Sequence, residues 1–327
     1  MSRKFKNILV FVIVSVMLLP MLFACGNTNE TNINNTSNNE TLIPNSADGD
    51  ETNLYVRNGE FIEFGRYPQT VKGESVELDV TSQKNSDGYY IGPDGNLYVY
   101  MEKPTLAYEG YKFNGNSGSI SAKSEYFYKI EPIKWRILEE REGEALIVTD
   151  NILLGGMFGP TNQYRTSALR NLVNGAFLGT AFNDNELDII IEKPITNEVS
   201  TTRYTDGNEY ADKPEVNKDT GKEEVTPIKD KAFVLSYQDL ITTKYGFSTD
   251  EFTKDVNRQF ILSDYARANN VLMNIDSELY GVGAFWTRSP VITRNNRVSY
   301  VEQDGTISEG NASFEKRGIV VAIWIKL

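Results

Sequence analysis

Aromatic and charged side chains that could hold a ligand lie close together near the end of this 327-residue chain. Trp286, Arg288 and Ser289 fall within four consecutive positions. An aromatic face beside a guanidinium is a common way to bind a sugar or an anion. Arg66 and Tyr67 offer the same combination early in the chain and are candidates for the same region. The alternative is that Trp286 is a core residue, while Arg288 pairs with a carboxylate and pins the terminal hairpin.

The residue types that are absent exclude several kinds of catalysis. The chain has no histidine, and Cys25 is its only cysteine. This excludes Ser-His-Asp and Cys-His catalysis, zinc sites built on His or Cys, and stabilisation by disulfides. No glycine-rich phosphate loop occurs either. We therefore assign no catalytic residue, and an enzyme would need paired carboxylates or a Ser-Lys arrangement.

Two groups of oxygen ligands raise the question of calcium. One group is Asp184, Glu186 and Asp188; the other is Asp206, Asn208, Glu209 and Asp212. Neither matches the twelve-residue calcium loop with its terminal glutamate, and such groups are expected on the solvated surface of an acidic chain. We therefore predict no metal ligand and no cofactor; calcium is considered, but no motif supports it.

The N-terminus has the pattern of an export signal. Arg3, Lys4 and Lys6 precede an almost wholly apolar run at residues 8–22, which is shorter than a membrane-spanning helix. Residues 22–25 read Leu-Phe-Ala-Cys and resemble the lipobox of bacterial prolipoproteins. The resemblance implies that residues 1–24 are a signal peptide and that Cys25 is diacylated, which gives stable anchoring in membrane lipid.

The composition after Cys25 predicts a tether and then a folded domain. Residues 26–53 are rich in Asn, Thr, Ser and acidic residues, so we expect residues 25–53 to be a disordered spacer. The net charge of −12 becomes −15 when the three signal-peptide cations are removed. A chain this acidic is a poor partner for nucleic acid. We expect it to lie on the extracytoplasmic face of the cell membrane.

Strands and short helices must position the candidate residues. Residues 285–288 and 298–302 are predicted strands before a turn at residues 304–305, and residues 60–64 form a strand that runs into a turn at residues 65–68. Further strands are predicted at 90–91, 97–100, 130–138, 145–149, 232–236 and 318–325, the last buried on both faces. Caps at Thr166 or Ser167, Asn183 and Ser263 predict helices at 168–178, 184–191 and 264–270. The fold class is therefore α+β.

Six motifs occur in order: Gly-Arg-Tyr-Pro-Gln at 65–69, Glu-Pro-Ile-Lys-Trp-Arg-Ile-Leu at 131–138, Ser-Ala-Leu-Arg at 167–170, Ala-Phe-Val-Leu-Ser at 232–236, Trp-Thr-Arg-Ser-Pro at 286–290 and Gly-Ile-Val-Val-Ala-Ile-Trp at 318–324. Together they resemble an uncharacterised domain family of Gram-positive (Firmicutes) surface proteins with Trp-Trp-Leu-Arg-Ser-Pro and Gly-Val-Arg-Pro-Ala motifs. The closing pattern is distantly similar to C-type-lectin-like domains and to sulfatase-modifying, formylglycine-generating enzymes. The cysteines that those enzymes use are absent here, which sets that activity aside.

The resemblance implies one C-type-lectin-like domain over residues 54–327. Two or three short helices would pack on antiparallel strands, with long insertions near 71–128 and 193–231. Val320 and Val321 stand where the family favours Arg-Pro. If that arginine normally forms a buried ion pair or touches a ligand, this chain has lost it.

Three functions follow from the sequence. The first is a membrane-anchored extracytoplasmic binding module for a glycan, a wall polymer or a surface protein, favoured by the anchor, the spacer and the abundant aromatic residues. The second is a carboxylate-based hydrolase of an extracellular polymer, which needs two carboxylates roughly 5–10 Å apart, one with a raised pKa. The third is a structural partner in an envelope complex, for which an exposed apolar patch would be the sign.

Overall fold

The structure is a computed structural model that describes residues 54–114, 118–195, 215–216, 221, 223–224, 227–276, 278–291 and 296–327. The described residues all belong to one compact unit, which spans Leu42–Leu327. The predicted signal peptide, Cys25, the predicted tether and the acidic group at 206–212 lie outside the described residues. Within the described part, no helix is long and apolar enough to cross a membrane.

The described residues form an α+β fold, as predicted. Its strands are β1 (Val56–Asn58), β2 (Phe61–Val71), β3 (Tyr90–Ile91), β4 (Leu97–Met101), β5 (Tyr126–Arg141), β6 (Glu144–Thr149), β7 (Asn151–Ile152), β8 (Leu154–Gly156), β9 (Ile190–Ile191), β10 (Lys193–Ile195), β11 (Glu215–Val216), β12 (Glu223–Glu224), β13 (Ile228–Asp230), β14 (Ala232–Phe233), β15 (Phe260–Leu262), β16 (Val282–Gly283), β17 (Phe285–Pro290), β18 (Arg297–Val301), β19 (Ile307–Asn311), β20 (Arg317–Ile319) and β21 (Ala322–Lys326). Its helices are α1 (Ala168–Leu172), α2 (Leu178–Ala181), α3 (Asp184–Ile189), α4 (Tyr237–Leu240) and α5 (Asp264–Arg267).

Two sheets organise the fold. The larger sheet is antiparallel and runs in the order β1-β2-β5-β6-β21-β14, with the β3–β4 hairpin added to β5 and β9 added to β21. The second sheet has the order β19-β18-β17-β20-β8, in which only β17 and β20 are parallel. Three smaller sheets pair β16-β15-β7, β10-β13 and β11-β12. One continuous core reaches from Ile62 to Ile325, so a fragment of residues 42–327 keeps all of its buried contacts.

The segment predicted to be a turn at residues 65–68 is part of a continuous strand. It lies inside β2, where the pairing with β5 shifts its register between Glu63 and Arg66. Gly65 occupies the left-handed region at this bulge, with a φ of 65°. A Cβ at Gly65 would lie 2.4 Å from the ring of Phe182, so the bulge also permits close packing of α2 on the sheet. The glycine and proline signals there mark a bulge, and the predicted turn is wrong.

The C-terminal apolar run is also two strands rather than one. β20 belongs to the second sheet, and β21 belongs to the larger sheet. Val320 and Val321 connect them and are fully buried, and the Val321 N–H donates to Oγ1 of Thr149 at 3.3 Å. Continuous burial here reflects a crossing between two sheets through the core, and not one strand covered on both faces. The side chains at positions 320 and 321 therefore lie in the protein interior.

The helices are more numerous than the two or three predicted. α1, a π-helical turn at Val173–Phe177 and α2 follow one another without a break and cover the predicted helix at 168–178. α5 ends at Arg267 and α3 at Ile189, so the other two predicted helices are shorter in the structure. After α3, residues 190–191 pair with β21 as β9, a tertiary contact that local sequence signals do not reveal. The cap at Ser167 and the capping box of Asn183 and Glu186 are confirmed.

The segment near 71–128 is joined to the rest of the domain by buried polar contacts. Asp264 accepts hydrogen bonds from the N–H groups of Val71 and Asn114, at 3.2 Å and 2.7 Å. Arg267, fully buried, donates to the carbonyl of Lys112 and to the side chain of Asn114. A small separate core also forms within the segment, from Val76, Tyr90, Tyr98 and Phe127. The β3–β4 hairpin and its loops are thus held on α5.

Candidate functional site

An open cleft of about 200 Å³ gathers charged and aromatic side chains from distant parts of the chain. Its wall is built by the end of β5, the start of β10, α4, β14, β17 and β21. Its charged and aromatic residues are Arg141, Lys193, Phe233, Asp239, Tyr245, Arg288 and Trp324. Leu146, Pro194, Ile195 and Leu235 complete it. The cleft therefore combines an apolar and aromatic floor with three cations and one carboxylate.

A tight turn between β5 and β6 positions the first of these cations. Glu142 and Gly143 have φ values of 51° and 78°, as a two-residue type I′ hairpin requires. The turn places Arg141 directly opposite Glu144 in the register of the two strands. Glu144 in turn lies 2.5 Å from Nζ of Lys193, the first residue of β10. The hairpin thereby brings Arg141 and Lys193 to the same end of the larger sheet.

Trp324 is the aromatic residue on which these two cations converge. It lies on β21 between Ile323 and Ile325, which are both fully buried, and its own side chain is 7% exposed. The guanidinium of Arg141 lies 4.6 Å from the centre of the indole ring, and Nζ of Lys193 lies 5.1 Å from it. Both distances are within the range of cation–π attraction. The indole therefore helps to hold two positive charges at the cleft.

Glu139, on β5, pairs with Arg141 of the cleft and with Lys244. Its carboxylate is 2.6 Å from Nζ of Lys244 and 3.7 Å from Arg141, and it accepts a hydrogen bond from the hydroxyl of Tyr245 at 3.2 Å. Burial acts to raise the pKa of this carboxyl, but the hydrogen bond and charge of Lys244, with the charge of Arg141, outweigh it. The pKa of Glu139 is therefore lowered, and the group stays ionised.

Arg288, the candidate chosen from the sequence, lines the same cleft. Its Nη1 donates to the carbonyl of Val234 at 2.8 Å and to the carboxylate of Asp239 at 2.9 Å. Asp239 also accepts a hydrogen bond from the N–H of Ser236, which makes it part of the capping box of α4. Arg288 thus pairs with a carboxylate, as the structural alternative predicts, but it fixes α4 on β17 rather than pinning the terminal hairpin. It also lines the cleft, and its role in binding a ligand stays a prediction.

The other predicted site residues lie elsewhere. Trp286 is 1% exposed and donates from Nε1 to the carbonyl of Gly156 at 2.8 Å, and the guanidinium of Arg317 lies 4.5 Å from its ring. Ser289 is fully buried, and its hydroxyl accepts a hydrogen bond from the N–H of Tyr237. The pairing of β17 with β18 shifts between Trp286 and Pro290, so Trp286 and Arg288 meet different neighbours.

Arg66 and Tyr67 belong to a third region of the fold. Both lie on β2, and the ring of Tyr67 packs 5.5 Å from Phe177 and 6.0 Å from Tyr265. Burial raises the pKa of the Tyr67 hydroxyl, as expected for an aromatic residue within the core. The charge of Arg66 acts on Glu186 of α3. The structure therefore brings one of the five predicted residues, Arg288, to the cleft.

Sequence reasoning missed Arg141, Lys193, Asp239, Tyr245 and Trp324. Lys193 begins the predicted insertion at 193–231, and Arg141 lies between the predicted strands at 130–138 and 145–149. One signal was present for Asp239, since Ser236 and Asp239 have the spacing of a capping box. Alternation in the last strand also placed Trp324 on the opposite face from Ile323 and Ile325. Nothing in the sequence indicated that these segments meet.

A second cavity lies on the far side of the same hairpin. It has a volume of about 310 Å³ and is lined by Arg57, Glu60, Glu139 and Glu140, among others. Arg57 and Glu140 form an exposed ion pair across its mouth, at 2.5 Å. Among the described residues, no group of three or more acidic, His or Cys side chains is arranged to hold a metal ion. Glu186, one of the oxygen ligands considered for calcium, instead accepts a hydrogen bond from the N–H of Asn183 in the capping box of α3.

The geometry defines an α+β domain with an open, charged cleft at one end of its larger sheet. A family profile described as Domain of unknown function (DUF6273) matches residues 142–327, more than half of the chain, and the chain belongs to that family. The matched region includes all of the cleft residues named above except Arg141. No curated protein and no solved structure matches the chain.

Proposed function

We propose that this chain is a lipid-anchored extracytoplasmic binding module that holds part of a glycan, a cell-wall component or a surface protein in the cleft. The anchor would be diacylated Cys25, after removal of residues 1–24 at the lipobox-like sequence. Residues 25–53 would then act as a spacer between the membrane lipid and the domain. This architecture places a binding domain within reach of polymers and proteins outside the membrane.

The proposal rests on one observation above the rest: three cations and an indole converge in one open cleft. Arg141, Lys193 and Arg288 come from three segments of the chain, and Trp324 lies beneath two of them. Charged side chains over an aromatic floor are suited to holding a polar ligand. The C-type-lectin-like assignment is part of the proposal. Its support is the closing motif at 286–290 and the mixed architecture of short helices and antiparallel strands.

The hydrolase alternative has weaker support from the same cleft. A glycosidase needs one carboxyl group with a raised pKa to act as a general acid. The pKa of Glu139 moves the opposite way, because Lys244 and Arg141 together outweigh its burial. Asp239 is occupied by Arg288 and by the first turn of α4. These contacts favour binding over hydrolysis.

A structural role in an envelope complex is a second candidate, and one observation favours it. Phe252 and Val256 are 70% and 71% exposed on a surface loop. Arg258, fully buried, holds that loop by donating to the carbonyls of Ser248 and Asp250. A fixed loop that presents apolar side chains to solvent is suited to docking on a protein. Changing Phe252 and Val256 to serine would then abolish crosslinking to a partner in cells without affecting polymer binding.

The binding proposal is tested with the 42–327 fragment and immobilised wall polymers. Peptidoglycan, teichoic acid and a panel of glycans would be presented with and without calcium, and binding measured for the fragment and its Arg141→Ala and Lys193→Ala variants. Arg57→Ala is the matched control, because Arg57 is also a partly exposed arginine that pairs with a glutamate on the same sheet. Saturable binding that both cleft variants weaken and Arg57→Ala does not would support the module. No binding by a folded fragment would contradict it.

A further inference from the structure

We infer that the ligand of the cleft is anionic: a polymer that carries phosphodiester or carboxylate groups. This inference rests on the proposed binding function and narrows its ligand class. The chain as a whole has a net charge of −12, yet the cleft is lined by three cations and a single carboxylate. A positive site on an acidic protein concentrates negative ligands locally, while the rest of the surface repels them.

The ion-pair partners of these cations offset much of this excess, and in two pairs the carboxylate is the more exposed side chain: Glu144 is 29% exposed against 21% for Lys193, and Asp239 24% against 10% for Arg288. The positive excess at the surface is therefore carried by Arg141 and Lys244. Counting the partners adds Lys244 to the cations, and Glu139 and Glu144 to the carboxylates, so that four positive charges face three negative ones. The side chain of Glu139 is only 7% exposed, whereas those of Arg141 and Lys244 are 53% and 55% exposed. An approaching ligand therefore meets the guanidinium and the ammonium before it meets the carboxylate that positions them.

The arrangement of the indole argues against a neutral sugar. Carbohydrate-binding sites that recognise neutral sugars use an open aromatic face on which the sugar ring stacks. Here Trp324 is 7% exposed, and Arg141 and Lys193 lie over its ring at 4.6 Å and 5.1 Å. The indole is thus used to orient cations and is covered by them. The remaining attraction at the cleft mouth is electrostatic, and a guanidinium binds phosphate and carboxylate groups well.

Matched pairs of charged and neutral polymers test this inference. One pair is dextran sulfate with dextran, and the other is polygalacturonate with its methyl ester. Poly(glycerol phosphate) is added as the polymer that carries phosphodiester groups. Binding to the 42–327 fragment would be measured at low and high salt. We expect the charged member of each pair to bind at least about tenfold more tightly, and salt to weaken its binding. Comparing polygalacturonate with poly(glycerol phosphate) shows whether the cleft prefers carboxylate or phosphodiester groups.

Variants locate the effect in the cleft. Arg141→Ala combined with Lys193→Ala should weaken binding of the charged polymers about tenfold, since each lost cation accounts for roughly threefold. Arg57→Ala and Lys134→Ala, which remove an ion-paired arginine and lysine outside the cleft, should leave binding within about twofold. If the controls weaken binding as much as the cleft variants do, the attraction is diffuse and the inference fails.

The remaining outcomes separate this inference from the proposed function. Equal binding of charged and neutral polymers, lost in the cleft variants, would overturn the anionic ligand and leave the binding module standing. No binding of any polymer by a fragment with an unchanged unfolding transition would overturn both. Thermal unfolding of each variant is the control for folding. Neither substitution leaves a buried charge unpaired, because Glu139 keeps Lys244 as its partner when Arg141 is replaced, and Glu144, the partner of Lys193, is 29% exposed.

Discussion

Replacing Arg170 by alanine should destabilise the domain far more than replacing its partner Asp230. Arg170, on α1, makes three close contacts with the Asp230 carboxylate, of 2.6, 2.9 and 3.0 Å. The two ends of the pair differ in exposure: the aspartate side chain is 1% exposed and the arginine side chain 24%. The pair is also connected to the cleft, because Asp230 on β13 lies opposite the cleft residue Lys193 on β10 in the register of the two strands.

The difference in exposure between the two side chains determines how much unfolding free energy each substitution should cost. Arg170→Ala leaves a carboxylate buried without its cation, which costs about 3–5 kcal/mol of unfolding free energy. Asp230→Ala leaves a guanidinium that can turn towards water and that still donates to the carbonyl of Arg165, so the cost should be about 1–2 kcal/mol. Arg57→Ala, at an ion pair with both side chains exposed, should cost less than about 1 kcal/mol.

Urea unfolding of the 42–327 fragment measures all three changes, with the slope of the transition showing whether two-state behaviour is kept. The double variant completes a mutant cycle that isolates the coupling between the two side chains. The reasoning is refuted if Asp230→Ala costs as much as Arg170→Ala, or if the coupling is no larger than that of an exposed pair. In either case the burial of Asp230 would not control the energetics of the contact.

Three further predictions follow from single residues. The pKa of Glu139 is lowered below its ordinary value of 4.5, so the ionised carboxylate should stabilise the fold fully above pH 4.5 and lose that effect as the pH falls through the lowered pKa. The difference in unfolding free energy between the unchanged fragment and Glu139→Gln, measured by urea unfolding, should therefore shrink over the same pH range. Trp286→Ala should cost about 3–5 kcal/mol, since the side chain is 1% exposed and donates to the Gly156 carbonyl, while the folded variant should still bind polymer; selective loss of binding would instead restore Trp286 as a ligand residue. Cys25→Ala in the full chain should abolish membrane retention or leave the protein unprocessed, and unchanged membrane retention together with unchanged processing would exclude the lipid anchor.

The sequence was informative wherever structure depends on near neighbours. The caps at Ser167, Asn183 and Ser263 were read correctly, because a cap is a contact between residues three apart. The long strands of the β5–β6 hairpin were also found, since alternation and a polar turn are local signals. The bulge at Gly65 was mistaken for a turn because the same glycine conformation serves both, and only the packing of Phe182 distinguishes them.

The cleft was beyond prediction for a different reason. Its wall joins residues that are up to 183 positions apart, as Arg141 and Trp324 are, and no local pattern specifies such a meeting. Arg288 is a sequence candidate because an aromatic face beside a guanidinium is a common way to bind a sugar or an anion. Its neighbour Trp286 was grouped with it by sequence proximity alone. The shift in register within β17 separates the two side chains, so residues that are close in sequence contact two different parts of the core.

The crossing at Val320 and Val321 positions Trp324, the aromatic residue of the cleft. Two buried valines carry the chain from β20 in the second sheet to β21 in the larger one, and Trp324 follows three residues later. An arginine at the same position would have to find a partner for its charge inside the core, because an unpaired buried charge costs several kcal/mol. With apolar residues there, the crossing needs no ion pair. Beyond the crossing, Arg141 and Lys193 lie over the ring of Trp324, and the Arg141 side chain is 53% exposed to solvent.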